Sequence, residues 1–197
     1  RTDLPGRRAW TIITALPLVI PSYVGSFALI AALGPRGLLQ QVLAGPLGIE
    51  RLPPIYGFPG AWLALTLFAY PYVLLNARAA LQGLDPAIED AARSLGDSPW
   101  TVFRRVTLPQ LWPALASGSL LVALYVLADF GAVSMLRYTT FTRAIYVQYT
   151  ATLDRSVAAL LALALVALTV LVLLLESRVQ RRARSLYRAP ARRHRQR

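Results

Sequence analysis

The sequence predicts an all-α chain, a polytopic bundle of about four membrane-spanning helices, and three observations carry that expectation. Four apolar stretches are each long enough to cross the roughly 30 Å of bilayer hydrocarbon, which takes about 20 helical residues. Hydrophobic residues make up 56% of the 197 and the mean hydropathy is +0.49, beyond the composition of an ordinary soluble domain. The one long polar interruption that carries helix signals of its own, Asp85 to Pro113, needs something to pack against outside the bilayer.

The chain opens with Arg1-Thr-Asp-Leu-Pro-Gly-Arg-Arg8, which lacks the apolar core of a signal peptide and reads as cut from a longer polypeptide. Residues 10–33 form the first predicted span, interrupted by Pro17 and Pro21 and, one turn further, by Gly25. A membrane helix tolerates such breaks when neighbours satisfy the freed carbonyls, and they mark either a structural kink or a substrate path. The Gly- and Pro-rich stretch 34–60 reads as an external loop in which only 38–44 has the makings of a short helix. Residues 61–80 are the second span, broken at Tyr70-Pro71-Tyr72, with Arg78 placed to snorkel from its inner end. Residues 113–136 are the third span and hold Asp129, the one plausible intramembrane acid. Residues 137–155, with Tyr138, Tyr146 and Tyr149, read as a second external region with interfacial aromatics. Residues 156–175 are an uninterrupted fourth span. The membrane domain is thus 1–177, and 178–197 are a basic tail or linker.

The polar stretch 85–109 reads as two short helices meeting at a turn. Asp85 caps the first, with Pro86 at a position where its missing N–H costs nothing. Ile88, Ala91, Ala92 and Leu95 make one apolar stripe, and Gly96 sits where a left-handed stop is wanted. Ser98 and Pro99 restart the pattern, Val102, Phe103 and Val106 make a second stripe, and Leu108-Pro109 ends it.

The net charge is +12, so its placement decides between nucleic acid and membrane topology. All 21 basic residues are Arg, nine of them after Glu176. With a cytoplasmic N-terminus, Arg1, Arg7, Arg8, Arg78, Arg93, Arg104, Arg105 and the nine tail residues lie on one side, against Arg36, Arg51, Arg137, Arg143 and Arg155 on the other. Sixteen against five places both ends and the two-helix loop in the cytoplasm. The tail then fixes topology and attracts anionic membrane lipid; almost without interleaved aromatics, it is not read as a nucleic-acid site. There is no cysteine and one histidine, His194 in the tail, which excludes a histidine-based metal or catalytic site. Lacking Lys altogether, the chain has no Gly-x-x-x-x-Gly-Lys loop to hold nucleotide phosphates.

Asp90-Ala91-Ala92, three residues, Gly96, nine residues, Val106, one residue and Leu108-Pro109 together form a pattern that resembles the EAA loop of the permease subunits of bacterial ABC importers. Asp90 stands where that family usually has Glu, and Val106 where it usually has Ile. The strings Ala15-Leu-Pro-Leu-Val-Ile-Pro-Ser-Tyr23, Leu33-Gly-Pro-Arg-Gly37 and Leu127-Ala-Asp-Phe-Gly131 are similar to those of the ferric-iron branch.

The resemblance implies a type I ABC importer permease fold in a bacterial inner membrane. It implies a separate ABC ATPase subunit that holds ATP and Mg, a periplasmic or extracellular substrate-binding protein, and a second permease half. This chain would be part of one half, missing at least one span before Arg1, with no cofactor, metal or catalytic residue of its own. The ATPase contact would comprise Ile88, Glu89, Asp90, Ala91, Ala92, Leu95, Gly96, Pro99, Val106, Leu108 and Pro109. A translocation path would use Pro17, Pro21, Tyr23, Tyr70, Tyr72 and Asp129. Ferric iron is the expected cargo, a hard cation suited to the oxygens of these tyrosines, Tyr125 and Asp129. A small organic solute such as thiamine, drawn to ring faces, or a phosphonate is the alternative. A polytopic membrane enzyme would need clustered acids or histidines, and a passive channel a ring of charge, and neither pattern is present.

Overall fold

The computed structural model describes residues 6–35, 37–47, 53–151 and 155–188, and every regular element among them is helical. Arg1, Arg36, Arg51 and the end of the basic tail, with His194, lie outside the described residues. In order the helices are α1 (Arg7–Ala15), α2 (Ser22–Leu33), α3 (Leu38–Leu47), α4 (Phe58–Gln82), α5 (Pro86–Ser94), α6 (Pro99–Val102), α7 (Leu108–Ala128), α8 (Gly131–Met135), α9 (Phe141–Ala151) and α10 (Ser156–Arg188). Ser22–Leu43, Phe58–Gln82, Pro99–Ala128 and Ser156–Gln180 are long and apolar enough to cross a membrane. Four spans were expected, but their limits differ from the expected ones for definite reasons. Packing divides the chain into two units, Arg1–Pro71 with Tyr125–Leu168, and Tyr72–Leu124 with Thr169–Arg197.

In the first unit the expected span 10–33 is two helices. Pro17 lies in a single 3-10 turn, Leu16–Leu18, and Pro21 precedes α2, so the first long apolar stretch starts at Ser22. The break leaves carbonyls at the end of α1 without helical partners. One of them, that of Thr14, accepts a 2.9 Å hydrogen bond from the Tyr70 hydroxyl. Ala61, Ala64 and Phe68 of α4 and Leu136 form the core, with Leu29, Ile30, Ile55 and Tyr138 packed on it. Helix α2 meets α4 at Gly25, where a Cβ would fall within the Phe68 ring. Pro71 does not break α4 as expected; it is fully buried inside a continuous helix, as membrane helices allow. The expected external loop 34–60 contains α3, somewhat longer than 38–44, and the region 137–155 contains α9.

The third span shows the largest difference. It was expected over 113–136, yet α7 ends at Ala128 and a new short helix, α8, begins at Gly131. At its other end α7 is continuous with the polar loop: α6 runs into a π-helical turn, Phe103–Thr107, and then into α7 without a stop. Pro109 ends nothing. Its ring would clash with the carbonyl four residues back in a regular α-helix; the wider turn, in which the Leu108 N–H reaches the Phe103 carbonyl, accommodates it. Helix α10 likewise continues past the apolar run to Arg188, since Glu, Arg, Gln and Leu are good helix formers and no Gly or Pro intervenes before Pro190.

Candidate functional site

The polar segment between α4 and α7 lies wholly in the second unit, and its local chemistry fixes its shape. Asp85 Oδ1 accepts the Ala87 N–H at 2.9 Å and caps α5, with Pro86 in the first turn. At the other end the Gly96 N–H reaches the Arg93 carbonyl at 3.0 Å and the Asp97 N–H reaches the Ala92 carbonyl at 3.3 Å. This paired closure requires a left-handed residue, and Gly96 supplies it with φ +92°. Ser98 Oγ then accepts the Thr101 N–H at 3.3 Å and caps α6, with Pro99 at its first position.

A tie that is not local holds the two helices together. Thr107 Oγ1, in the π turn, donates to Glu89 Oε1 at 2.9 Å, and Arg93 lies 4.0 Å from the other oxygen of Glu89. Thr107 is buried, as are Leu84, Val102 and Leu111. The opposite side of the segment is open: Ile88, Asp90, Ala91, Gly96, Pro99 and Pro109 are exposed, and Leu95 is 87% exposed. Ala92, Val106 and Leu108 are half-buried. The second stripe expected from sequence divides, with Val102 buried and Phe103 turned out beside Trp100, their rings stacked at 5.6 Å. Trp100, 69% exposed, was not singled out in the sequence, although its spacing three residues before Phe103 is the signal that places both on one face. Thr107 was not singled out either.

The residues expected to line a path are divided by the fold. Pro17, Pro21, Tyr23, Tyr70 and Asp129 belong to the first unit and Tyr72 to the second. Tyr70 is engaged by α1, as described. Tyr23 is exposed, and its Cβ lies against Gly131 at the start of α8. Asp129 is only 8% exposed. Its Oδ1 accepts the N–H groups of Ala132 at 2.9 Å and Val133 at 3.4 Å, and its carbonyl accepts the Thr142 hydroxyl at 2.7 Å. The carboxylate therefore caps the start of α8, just beyond the end of α7. Among the described residues no group of three or more His, Cys, Asp or Glu side chains is placed to hold a metal.

Long apolar helices joined by an outward-facing polar segment of capped helices define a polytopic membrane protein. Residues 4–185 match the family described as binding-protein-dependent transport system inner membrane component, and the chain belongs to that family, which is one of transport permeases and not of enzymes. It is similar to the Fe(3+)-transport system permease protein FbpB 2 of Haemophilus influenzae, 36% identical over 167 residues, 85% of this chain and 29% of that protein. It is also similar to the molybdenum transport system permease protein ModB of Escherichia coli, 34% identical over 132 residues, 67% of this chain and 56% of that protein. The chain thus spans 29% and 56% of the lengths of these two relatives. Among solved structures, an inward-facing MetNI methionine ABC transporter matches with a TM-score of 0.65 and 19% identity over 90% of this chain and 75% of that one. A bacterial ABC transporter that imports alginate matches with a TM-score of 0.65 and 16% identity over 94% of this chain and 68% of that one. The fold is that of ABC importer permeases.

Proposed function

We propose that this chain is a transmembrane part of an ATP-driven importer, and that residues 85–109 receive the closing motion of a separate ATPase subunit that holds ATP and Mg. One observation carries the reading: the segment is fixed from within by Glu89 and Thr107 and capped at each turn, while Ile88 and Leu95 remain exposed on its outside. An apolar face on a rigid support is what a docking surface needs. Because α6, the π turn and α7 are continuous, a push on the segment reaches the span directly. The arginine distribution supports a cytoplasmic side for the segment and both ends. A substrate-binding protein on the opposite side and a second permease half complete the transporter.

For cargo we assign ferric iron, supported by the 36% identical relative named for Fe(3+) transport. The second reading is molybdate, favoured by the relative named for molybdenum, of which the chain covers a larger share, 56% against 29%. Uptake of labelled ferric ion and of labelled molybdate into cells with and without this gene, in its complete operon, decides the matter. Loss of iron uptake alone supports the first assignment; loss of molybdate uptake alone replaces it with the second.

A further inference from the structure

We propose that Trp100, Thr101, Arg104 and Arg105 form a headgroup site for an anionic phospholipid in the leaflet on the side of residues 85–109. These four residues line an open surface groove of about 460 Å³, and each brings hydrogen-bond donors: an indole N–H, a hydroxyl shared with Ser98, and two guanidinium groups. No carboxylate lines it. Arg93 pairs with Glu89, whereas among the described residues no acidic side chain pairs with Arg104 or Arg105. A site rich in donors and free of carboxylates suits a phosphodiester, which offers only acceptors, and guanidinium groups bind it through paired N–H bonds.

Depth selects a lipid over other anions. Helix α7 has 21 residues, about 31 Å at the α-helical rise, which matches the roughly 30 Å of hydrocarbon. Arg104 and Arg105 lie four and three residues before its first residue, Leu108, about 5 Å outside the hydrocarbon along the helix. That is the headgroup layer, and it is where exposed tryptophans such as Trp100 concentrate. The π turn contributes as well, because each residue of a wider turn rotates less than in an α-helix and the two successive arginines point more nearly one way. The four residues lie within 85–109, but none is among the side chains named above for the ATPase contact, so the two surfaces are separable by substitution.

The test uses the full chain in nanodiscs, with Trp10, Trp62 and Trp112 replaced by Phe so that Trp100 is the only indole reporter. Acyl-brominated phosphatidylglycerol should quench Trp100 at a mole fraction about tenfold lower than acyl-brominated phosphatidylcholine, given two arginines at the surface. In R104Q/R105Q the separation of the two quenching curves should shrink by about tenfold, and R104K/R105K, which keeps the charge but not the fork, should fall between. The basic tail is unchanged in all three proteins, so any general attraction it exerts cancels. Equal quenching by both lipids before substitution, or a preference unchanged in R104Q/R105Q, overturns the proposal. Abolition of the preference by millimolar inorganic phosphate would reassign the site to a free anion. Loss of ATPase-subunit capture in R104Q/R105Q with the lipid preference intact would reassign it to that subunit.

Discussion

Thr107 Oγ1 donates to Glu89 Oε1 across eighteen residues of sequence, and that bond joins the first helix of the polar segment to the π turn at the base of the third span. It adds a directed hydrogen bond to the packing of α5 against α6 and the π turn. A half-buried carboxylate held by a buried hydroxyl is a stronger tie than an exposed ion pair, and the 4.0 Å contact to Arg93 adds little beside it.

Replacing Thr107 by Val keeps the shape and removes the donor. We expect a loss of about 1 kcal/mol locally, read as an approximately fivefold faster amide exchange over α5. Glu89→Gln, which retains an acceptor oxygen, should change exchange much less. Identical exchange in T107V and the unaltered chain would show that the bond holds nothing.

Gly96 separates backbone strain from contact with a partner. A Cβ at Gly96 meets nothing within 4 Å, so Ala and Trp should cost α5 the same amount, about 1 kcal/mol from the left-handed φ alone. In the assembled transporter G96W should abolish substrate-stimulated ATP hydrolysis while G96A only reduces it. Equal activity of the two variants would place the surface at Gly96 away from any partner.

Leu95 is the outermost apolar side chain of the segment, and Leu95→Arg should leave membrane insertion and the α5 fold unchanged. Co-purification of the ATPase subunit with the L95R permease should fall by tenfold or more, the effect of an unpaired charge in an apolar contact. Undiminished co-purification would move the docking face elsewhere.

Asp129 distinguishes a cap from a charge in transit. Asn caps nearly as well as Asp, so D129N should preserve α8 and D129A should weaken it by about 1 kcal/mol, seen as faster exchange at the Ala132 and Val133 amides. Transport retained in D129N and impaired in D129A assigns the residue to α8; transport lost in both, with α8 intact in D129N, assigns a role to the charge itself.

What the sequence made legible were the signals contained within one turn of chain. Asp85, Gly96 and Ser98 act where their types and spacing placed them, because a cap is a contact between near neighbours. Thr107 was silent, since nothing in a lone threonine announces a carboxylate eighteen residues away. Asp129 was read as a lone charge in an apolar run because hydropathy averages over the very residues where one helix stops and another starts. Pro71 and Pro109 were read as breaks, but burial inside α4 and a widened turn before α7 absorbed them. Both accommodations depend on surroundings that lie beyond the local pattern.

The π turn at Phe103–Thr107 also sets a rotational phase. Helix α7 and the segment before it are one rod, so the direction in which Ile88 and Leu95 face is inherited from the winding of those five residues. Rewinding those five residues as plain α-helix, with none removed, would swing everything upstream by roughly a quarter of a turn around the rod's axis. The docking side chains would all still be present, and they would point at the wrong neighbour.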